Sequence, residues 1–276
     1  MGEINTDIYL GIGQFARELR INAVKMTHNG NSSHVGSVLS VADILAVLYS
    51  HVLKVNPKEP NSKNRDRFIL SKGHAGAGVY SALAERGFFK KSELLQHCRN
   101  GSNLSGHISH KNIPGVELST GSLGHGLPVA GGMALAGKLR KKRFKTFVLM
   151  SDGECDEGSN WEAALFASHH KLENLIAIVD YNKLQSIKSI KETLGLEPFL
   201  DKWKSFGWEV KEVDGHNHKD LVDALSFDTS KGSKPKCIIA HTIKGYGVSF
   251  MENKVLWHYR SPQGEEYKQA ISELES

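Results

Sequence analysis

Apolar residues follow two alternating patterns along the chain. Segments with apolar residues every three or four positions predict helices, and short continuous apolar runs between polar or glycine-containing turns predict buried strands. The predicted helices span 12–26, 41–53, 75–86, 129–139, 160–170 and 219–225, with a short polar helix in 261–276. The predicted strands span 67–71, 145–150, 175–180, 208–213 and 235–241. A polar loop is expected at 28–33, and Asp43 is expected in the first turn of the second helix, where acidic residues are favoured.

The order of these elements predicts the fold class. Strands that alternate with helices are typical of a parallel sheet covered by helices on both faces, which is an α/β fold. A length of 276 residues suits one large domain or two small ones. No linker rich in Pro, Gly or Ser divides the sequence, so a single domain over 1–276 is expected.

Composition narrows the function classes. The chain is 39% hydrophobic and 24% charged, as in ordinary globular proteins. Apolar runs such as 175–179 are too short to cross a bilayer, and the first ten residues lack the plan of a signal peptide, so no membrane partner is expected. Three cysteines without CxxC spacing favour a reducing compartment, and the cytoplasm is expected.

Charge gives no sign of a nucleic-acid partner. The formal net charge of +5 is a mild excess for this length. The densest basic run, 138–143, ends a predicted helix, where cations complement the negative end of the helix dipole. No nucleic-acid binding is therefore expected.

Polar side chains follow two consecutive predicted strands. Asp152 comes directly after one strand, and Asn182 follows the next, about thirty residues later. In a right-handed βαβ unit both strand ends emerge at the same edge of the sheet, where ligands of such sheets bind. With a backbone carbonyl near Leu184, these side chains can offer oxygen ligands to Mg²⁺, or to Ca²⁺ or Mn²⁺, holding a diphosphate. The alternative is that Asp152 caps a helix and Asn182 turns the chain.

Further motifs occur in order along nearly the whole chain. They span 33–36, 65–74, 105–107, 115–126, 151–158, 213–216 and 242–247. Together with the Asp-Gly and Asn at the strand ends, they resemble the transketolase family. The resemblance implies a thiamine-diphosphate-binding fold and the transfer of a two-carbon ketol unit from a ketose or its phosphate to an aldose.

The resemblance also implies roles for individual residues. Four histidines match positions that line the channel over the thiazolium in the family, where imidazoles exchange protons with sugar hydroxyls near neutral pH. These are His34, His74, His107 and His258, the last on the looser match Trp257-His258. Cofactor contacts are implied for His74, Gly121, Ser122, Leu123, Gly124, Gly153, Glu154 and Asn182, and metal contacts for Asp152, Asn182 and Leu184. Glu157 matches an acidic residue that links two active sites at the subunit interface, although it also suits a solvated helix start.

The sequence departs from the family pattern in two ways. Ser151 stands where the family usually has Gly, and His125 stands where it has Gln. Full transketolases are more than twice as long, and their other domains supply the glutamate that activates the aminopyrimidine and much of the sugar-phosphate site. The resemblance therefore implies one subunit of a split transketolase, completed by a separate C-terminal subunit in an α2β2 assembly. A non-catalytic binding or regulatory protein and a subunit of a thiamine-dependent synthase are the alternatives.

Overall fold

The computed structural model describes residues 6–226 and 233–276, and its described strands form one parallel sheet. The strands are β1 Arg67–Leu70, β2 Thr146–Ser151, β3 Leu175–Tyr181, β4 Glu209–Asp214 and β5 Lys236–His241. Their order across the sheet is β1-β2-β3-β5-β4, and every neighbouring pair is parallel. All five predicted strands are therefore present, within two residues of their predicted ends.

Helices cover both faces of this sheet. They are α1 Thr6–Gly30, α2 Val35–Val47, α3 Gly76–Glu85, α4 Gly126–Leu139, α5 Gly158–His169, α6 Ile190–Thr193, α7 Phe199–Ser205, α8 His218–Leu225 and α9 Glu265–Glu275. Alternate residues of β2 enter different cores: Phe147 and Leu149 pack with α1, α2, α3 and α8, whereas Val148 and Met150 pack with α4, α5 and α7. This alternation explains why β2 and β3 are buried along their whole length and confirms the predicted α/β fold.

The second helix differs from its prediction. It begins at Val35, six residues earlier than expected, because Ser37 and Ser40 interrupt the apolar pattern while lying on a buried part of the helix. The placement of Asp43 in the first turn was therefore wrong. Its carboxylate lies in mid-helix, 3% exposed, where it accepts hydrogen bonds from Arg20 and two histidines.

Helix α2 is followed directly by a π-helical turn, Leu48–Val52. Together they form an apolar helical segment, 35–52, that is longer than the predicted helix. By length and composition, Val35–Val52 is long enough to cross a membrane, but 83% of this segment is buried inside the protein. Such burial is typical of a helix in the core of a protein.

Smaller differences concern segments with weak sequence patterns. Helix α1 continues to Gly30, so the predicted polar loop is shorter than expected. The short helices α6 and α7 were not predicted, and neither were the 3-10 helices Lys91–Gln96, Gly153–Asp156 and Val255–His258. Elements of one or two turns contain too few residues to show a helical period.

Candidate active site

A cavity of about 380 Å³ opens at the carboxyl edge of the sheet. Its walls come from the ends of the first three strands, from the start of α2 and from the loops before α4 and after β5. The lining residues predicted from the sequence are His34, His74, His107, Gly121, Leu123, Asp152, Gly153, Asn182, Leu184 and His258. The strand-end rule therefore locates the cavity correctly.

Four histidine rings form one cluster in this cavity. The His34 ring centroid lies 5.2 Å from that of His74, 5.5 Å from that of His107 and 4.8 Å from that of His258. Burial, together with neighbouring cationic side chains, lowers the pKa of His34 to about 4 and that of His258 to about 3. Burial also lowers the pKa of His74 well below its usual value. These three rings are neutral at physiological pH, so each has one N–H donor and one acceptor nitrogen.

The backbone at His34 contributes to this arrangement. His34 precedes the first residue of α2 and has φ 75° and ψ 14°, in the left-handed region. Its N–H donates to the carbonyl of His258 at 2.9 Å, so the two segments that carry these rings are joined directly. The main chain thus holds the His34 and His258 rings against each other.

The oxygen donors predicted as metal ligands lie in the lining of the same cavity. The Asp152 carboxylate accepts from the N–H groups of Gly153 at 2.7 Å and Lys183 at 2.6 Å, and the Asn182 side-chain oxygen accepts from the N–H of Leu184 at 3.0 Å. Burial, and then the neighbouring Asp180 carboxylate, raises the pKa of Asp152 to about 7. Among residues 6–226 and 233–276, no three His, Cys, Asp or Glu side chains form a common metal-ligand group.

Two buried lysines lie beside these donors. Lys72 donates to the Asp180 carboxylate, which also accepts from Ser40 and Thr242. Burial would raise the pKa of Asp180, but Lys72 and these hydroxyls outweigh it and lower that pKa. Lys72 is therefore committed to Asp180 rather than to the neighbouring Asp152 carboxylate.

Lys244 is the second lysine and lies at the cavity wall. Its ammonium contacts the Leu184 carbonyl at 3.2 Å, the Gln185 carbonyl at 3.3 Å and Nδ1 of His258 at 2.8 Å. Burial, and then repulsion by Lys72, lowers the pKa of Lys244 to about 8. It is still mainly an ammonium at neutral pH, and it donates to His258 Nδ1, which leaves the proton of that ring on Nε2.

The predicted glycine loop, 121–126, passes over the strand ends and leads into α4. Gly124 has φ +81°, and an added Cβ would lie 2.5 Å from the Ser159 hydroxyl, so only glycine fits there. Glu154 holds the loop in place: its carboxylate accepts from the N–H groups of Gly124 and Ser151 and from the Ser71 hydroxyl. Burial raises the pKa of Glu154.

Not every predicted site residue lines the cavity. Ser122 is exposed outside the cavity, Gly124 and Glu154 are buried outside its lining, and Glu157 is exposed at the start of α5. Ser151 lines the cavity, and its hydroxyl accepts from the Glu154 N–H at 3.3 Å. His125 is exposed, with Nδ1 3.0 Å from the Leu123 carbonyl oxygen.

Other lining residues were not predicted from the sequence. They are Ser37, Lys72, Gln185, Ser186, Lys244 and Tyr259. A usable signal existed for the two lysines: Lys72 and Lys244 follow buried strands at the carboxyl edge, as Asp152 does. The same rule that selected Asp152 would have selected them.

The chain matches known proteins over most of its length. Residues 13–274 match the family described as "Transketolase, thiamine diphosphate binding domain". One subunit of the apulose-4-phosphate transketolase of Actinobacillus succinogenes is 44% identical over 260 residues, covering 94% of each chain. One subunit of the 6-deoxy-6-sulfo-D-fructose transketolase of a Clostridium species is 42% identical over 242 residues, covering 88% of each chain.

The fold also matches solved structures. The crystal structure of a transketolase from Campylobacter jejuni superposes with a TM-score of 0.90 at 33% identity. The match covers 99% of this chain and 43% of the Campylobacter chain, so the chain spans less than half the length of that enzyme. The chain therefore belongs to the transketolase family of transferases and contains its thiamine diphosphate binding domain.

Proposed function

We propose that this chain is the cofactor-binding subunit of a two-chain transketolase, which transfers a two-carbon ketol unit from a ketose to an aldose. One observation carries the proposal: four clustered histidines line one cavity together with oxygen donors at the strand ends and a buried lysine, Lys244, that contacts His258. Such a cavity suits a ligand with a diphosphate at one end and a proton-exchanging reaction centre at the other.

The donor set at the strand ends fits a hard divalent cation. Asp152 is buried, its pKa is raised, and Lys72 is paired with Asp180, so a bound cation would compensate the charge of Asp152. We assign the Asp152 carboxylate, the Asn182 side-chain oxygen and the Leu184 carbonyl to Mg²⁺, whose remaining ligands come from a diphosphate and water. Ca²⁺ and Mn²⁺ accept the same oxygen ligands.

The diphosphate contacts follow from the surrounding donors. The ammonium of Lys244 is buried beside the Leu184 carbonyl. In this proposal it contacts a phosphate group of the diphosphate that Mg²⁺ holds. Gly121, Leu123 and Gly153 present backbone to the cavity, and His74 and Asn182 add side-chain contacts. Ser122, Gly124 and Glu154 act by shaping the loop that carries two of these contacts.

The histidines handle protons and substrate hydroxyls. Bound thiamine diphosphate supplies the electron sink for cleavage of the ketose carbon–carbon bond. His34 is neutral, so it can accept a proton from a hydroxyl at one nitrogen and donate at the other. His258 is held with its proton on Nε2, which makes it a donor to a developing negative charge on oxygen. His74 and His107 complete the ring of imidazoles around the reacting atoms.

A second chain completes the site in this proposal. Tyr259 at the cavity mouth is 63% exposed, and Glu157 at the start of α5 is also exposed, so both are accessible to a partner. The similarity to proteins named as transketolase subunits supports a separate partner subunit, and we propose a C-terminal subunit in an α2β2 assembly. All three cysteines are free thiols, in keeping with the cytoplasmic location that we propose.

The test is to purify a tagged copy of the chain from its native host and to identify whatever co-purifies. With Mg²⁺ and thiamine diphosphate, the complex is then assayed for ketol transfer from xylulose 5-phosphate, apulose 4-phosphate and 6-deoxy-6-sulfofructose. A co-purifying chain, with transfer only in the complex, supports the proposal. Cofactor binding without transfer from any of these donors would instead support the non-catalytic alternative.

A further inference from the structure

A buried polar cluster lies outside the cavity, around Asp43 of α2. The carboxylate accepts from both terminal nitrogens of Arg20, from Nδ1 of His216 at 2.7 Å and from Nε2 of His218 at 2.8 Å. Burial opposes the charged form of Asp43, but these donors outweigh burial and hold its pKa well below the usual range. Tyr246 closes the cluster by stacking on the His216 ring, with 3.6 Å between ring centroids.

His216 joins this cluster to the loop at 242–247. Its Nε2 accepts from the backbone N–H of Ile243 at 2.9 Å, while its Nδ1 donates to Asp43. One tautomer of the neutral ring satisfies both contacts at once. Gly215 permits this approach, because an added Cβ would clash with the Thr242 methyl group.

The residue after Ile243 is Lys244, whose ammonium enters the cavity. The loop is fixed at two further points: the Gly245 N–H donates to the Gly36 carbonyl at 3.0 Å, and the Thr242 hydroxyl donates to Asp180. Gly36 and Asp43 are seven residues apart on α2, about 10 Å along its axis. The loop is therefore anchored to one rigid helix at two places, and Lys244 lies between the anchors.

We infer that Asp43 and His216 are positioning residues for diphosphate binding, because they fix the Ile243 backbone and so aim Lys244 into the cavity. Neither residue lines the cavity, and their effect passes through the main chain of the loop. This inference rests on the proposed function for its ligand. The anchoring of the loop itself can be measured without any ligand.

His218 provides a matched control. It also donates to Asp43, yet within the described ranges the structure gives it no hydrogen bond to the loop at 242–247. His216→Phe keeps an aromatic ring to stack on Tyr246 but removes both hydrogen bonds. His216→Gln places an acceptor where Nε2 lies and His216→Asn places a donor where Nδ1 lies, which separates the loop contact from the Asp43 contact.

The full chain, in the assembly in which it is isolated, is titrated with inorganic pyrophosphate and Mg²⁺ by calorimetry. Hydrogen exchange at the amides of 243–247 is followed without ligand. His216→Phe and His216→Asn are expected to weaken pyrophosphate affinity about tenfold, the effect of leaving one buried donor without its acceptor. Exchange in the loop should rise in both variants and to a smaller extent in His216→Gln, which keeps the Ile243 contact but loses the Asp43 contact, whereas His218→Phe should stay close to wild type.

Each outcome decides one question. If His216→Phe and His218→Phe change affinity and exchange equally, or if the loop exchanges as slowly in His216→Phe as in wild type, the positioning role is refuted. If wild type binds neither pyrophosphate nor thiamine diphosphate, the proposed function fails. The exchange measurement still shows whether His216 anchors the loop.

Discussion

Replacing Asp152 by Asn should make the ligand-free chain more stable at alkaline pH, although it removes a residue of the proposed metal site. In the folded chain the pKa of Asp152 is raised from 3.8 to about 7. The folded state therefore holds this proton more tightly than the unfolded state does. The resulting contribution to stability is present below the unfolded pKa and is lost as pH rises through about 7.

The magnitude follows from these two pKa values. Because the unfolded carboxyl ionises more readily than the folded one, the free energy of unfolding is lowered by about 4 kcal/mol near pH 8 and by about 2 kcal/mol near pH 5.5, where the folded carboxyl is still mainly protonated. An Asn side chain avoids this cost, but its NH₂ group must face one of the two N–H donors, which costs about 1–3 kcal/mol. The expected net gain near pH 8 is about 1–3 kcal/mol, or about 2–6 °C in thermal midpoint for a chain of 276 residues.

The assay is thermal unfolding of wild type and Asp152→Asn at both pH values, without and with Mg²⁺ and thiamine diphosphate. At ligand near 100 times Kd, wild type should gain about 2.7 kcal/mol and the variant little or none, so the ligand should remove most or all of the variant's advantage near pH 8. Asp66→Asn is the matched control. Asp66 is also buried and also accepts from two backbone N–H groups, of Lys54 and Lys145, but it does not line the cavity.

Asp66→Asn should lose stability at both pH values and keep the wild-type response to ligand. A lower stability of Asp152→Asn near pH 8, or an advantage that does not shrink near pH 5.5, would refute the raised pKa of Asp152 as the cause. An undiminished response of Asp152→Asn to Mg²⁺ would remove Asp152 from the metal site.

Three further predictions concern other buried groups. Lys72→Met should lower the free energy of unfolding in urea by about 3–5 kcal/mol, because it leaves the buried Asp180 carboxylate without its ion-pair partner. Adding Asp180→Asn should recover most of that loss. His107→Ala should lower turnover of the assembled enzyme about 10²-fold while changing cofactor affinity little; steady-state kinetics with unchanged turnover would contradict this. Because the folded pKa values of His34 and His258 are lowered, their contribution to stability should fall as pH drops from about 6.5 towards 4, and His34→Gln should reduce that slope in urea midpoints.

Strands β2, β3 and β5 were predictable because they bury both faces. Such strands appear in the sequence as unbroken apolar runs, and the two-core packing of β2 and β3 is the physical reason. The start of helix α2 was not predictable from the apolar pattern. Ser37 and Ser40 interrupt that pattern, because Ser37 lines the cavity and Ser40 donates to Asp180 at 2.5 Å.

The position of the candidate site was predictable, but the contacts between its side chains were not. Strand ends located Asp152 and Asn182, and family motifs located the histidines. Contacts between residues far apart in sequence leave no trace in spacing: Lys72 and Asp180 are 108 residues apart, and Asp43 and His216 are 173 apart. The pKa of Asp152 depends on the pairing of Lys72 with Asp180. The raised pKa of Asp152 could therefore not be inferred before the fold was known.

The left-handed backbone at His34 sets stability against the proton-exchange role proposed for the His34 ring. A residue with a Cβ in this region costs about 1–2 kcal/mol relative to glycine. Laboratory evolution for heat resistance alone should therefore enrich glycine or asparagine at position 34, which relaxes the main chain and discards the imidazole. Engineers who stabilise this protein should hold position 34 fixed and seek their gains elsewhere in the fold.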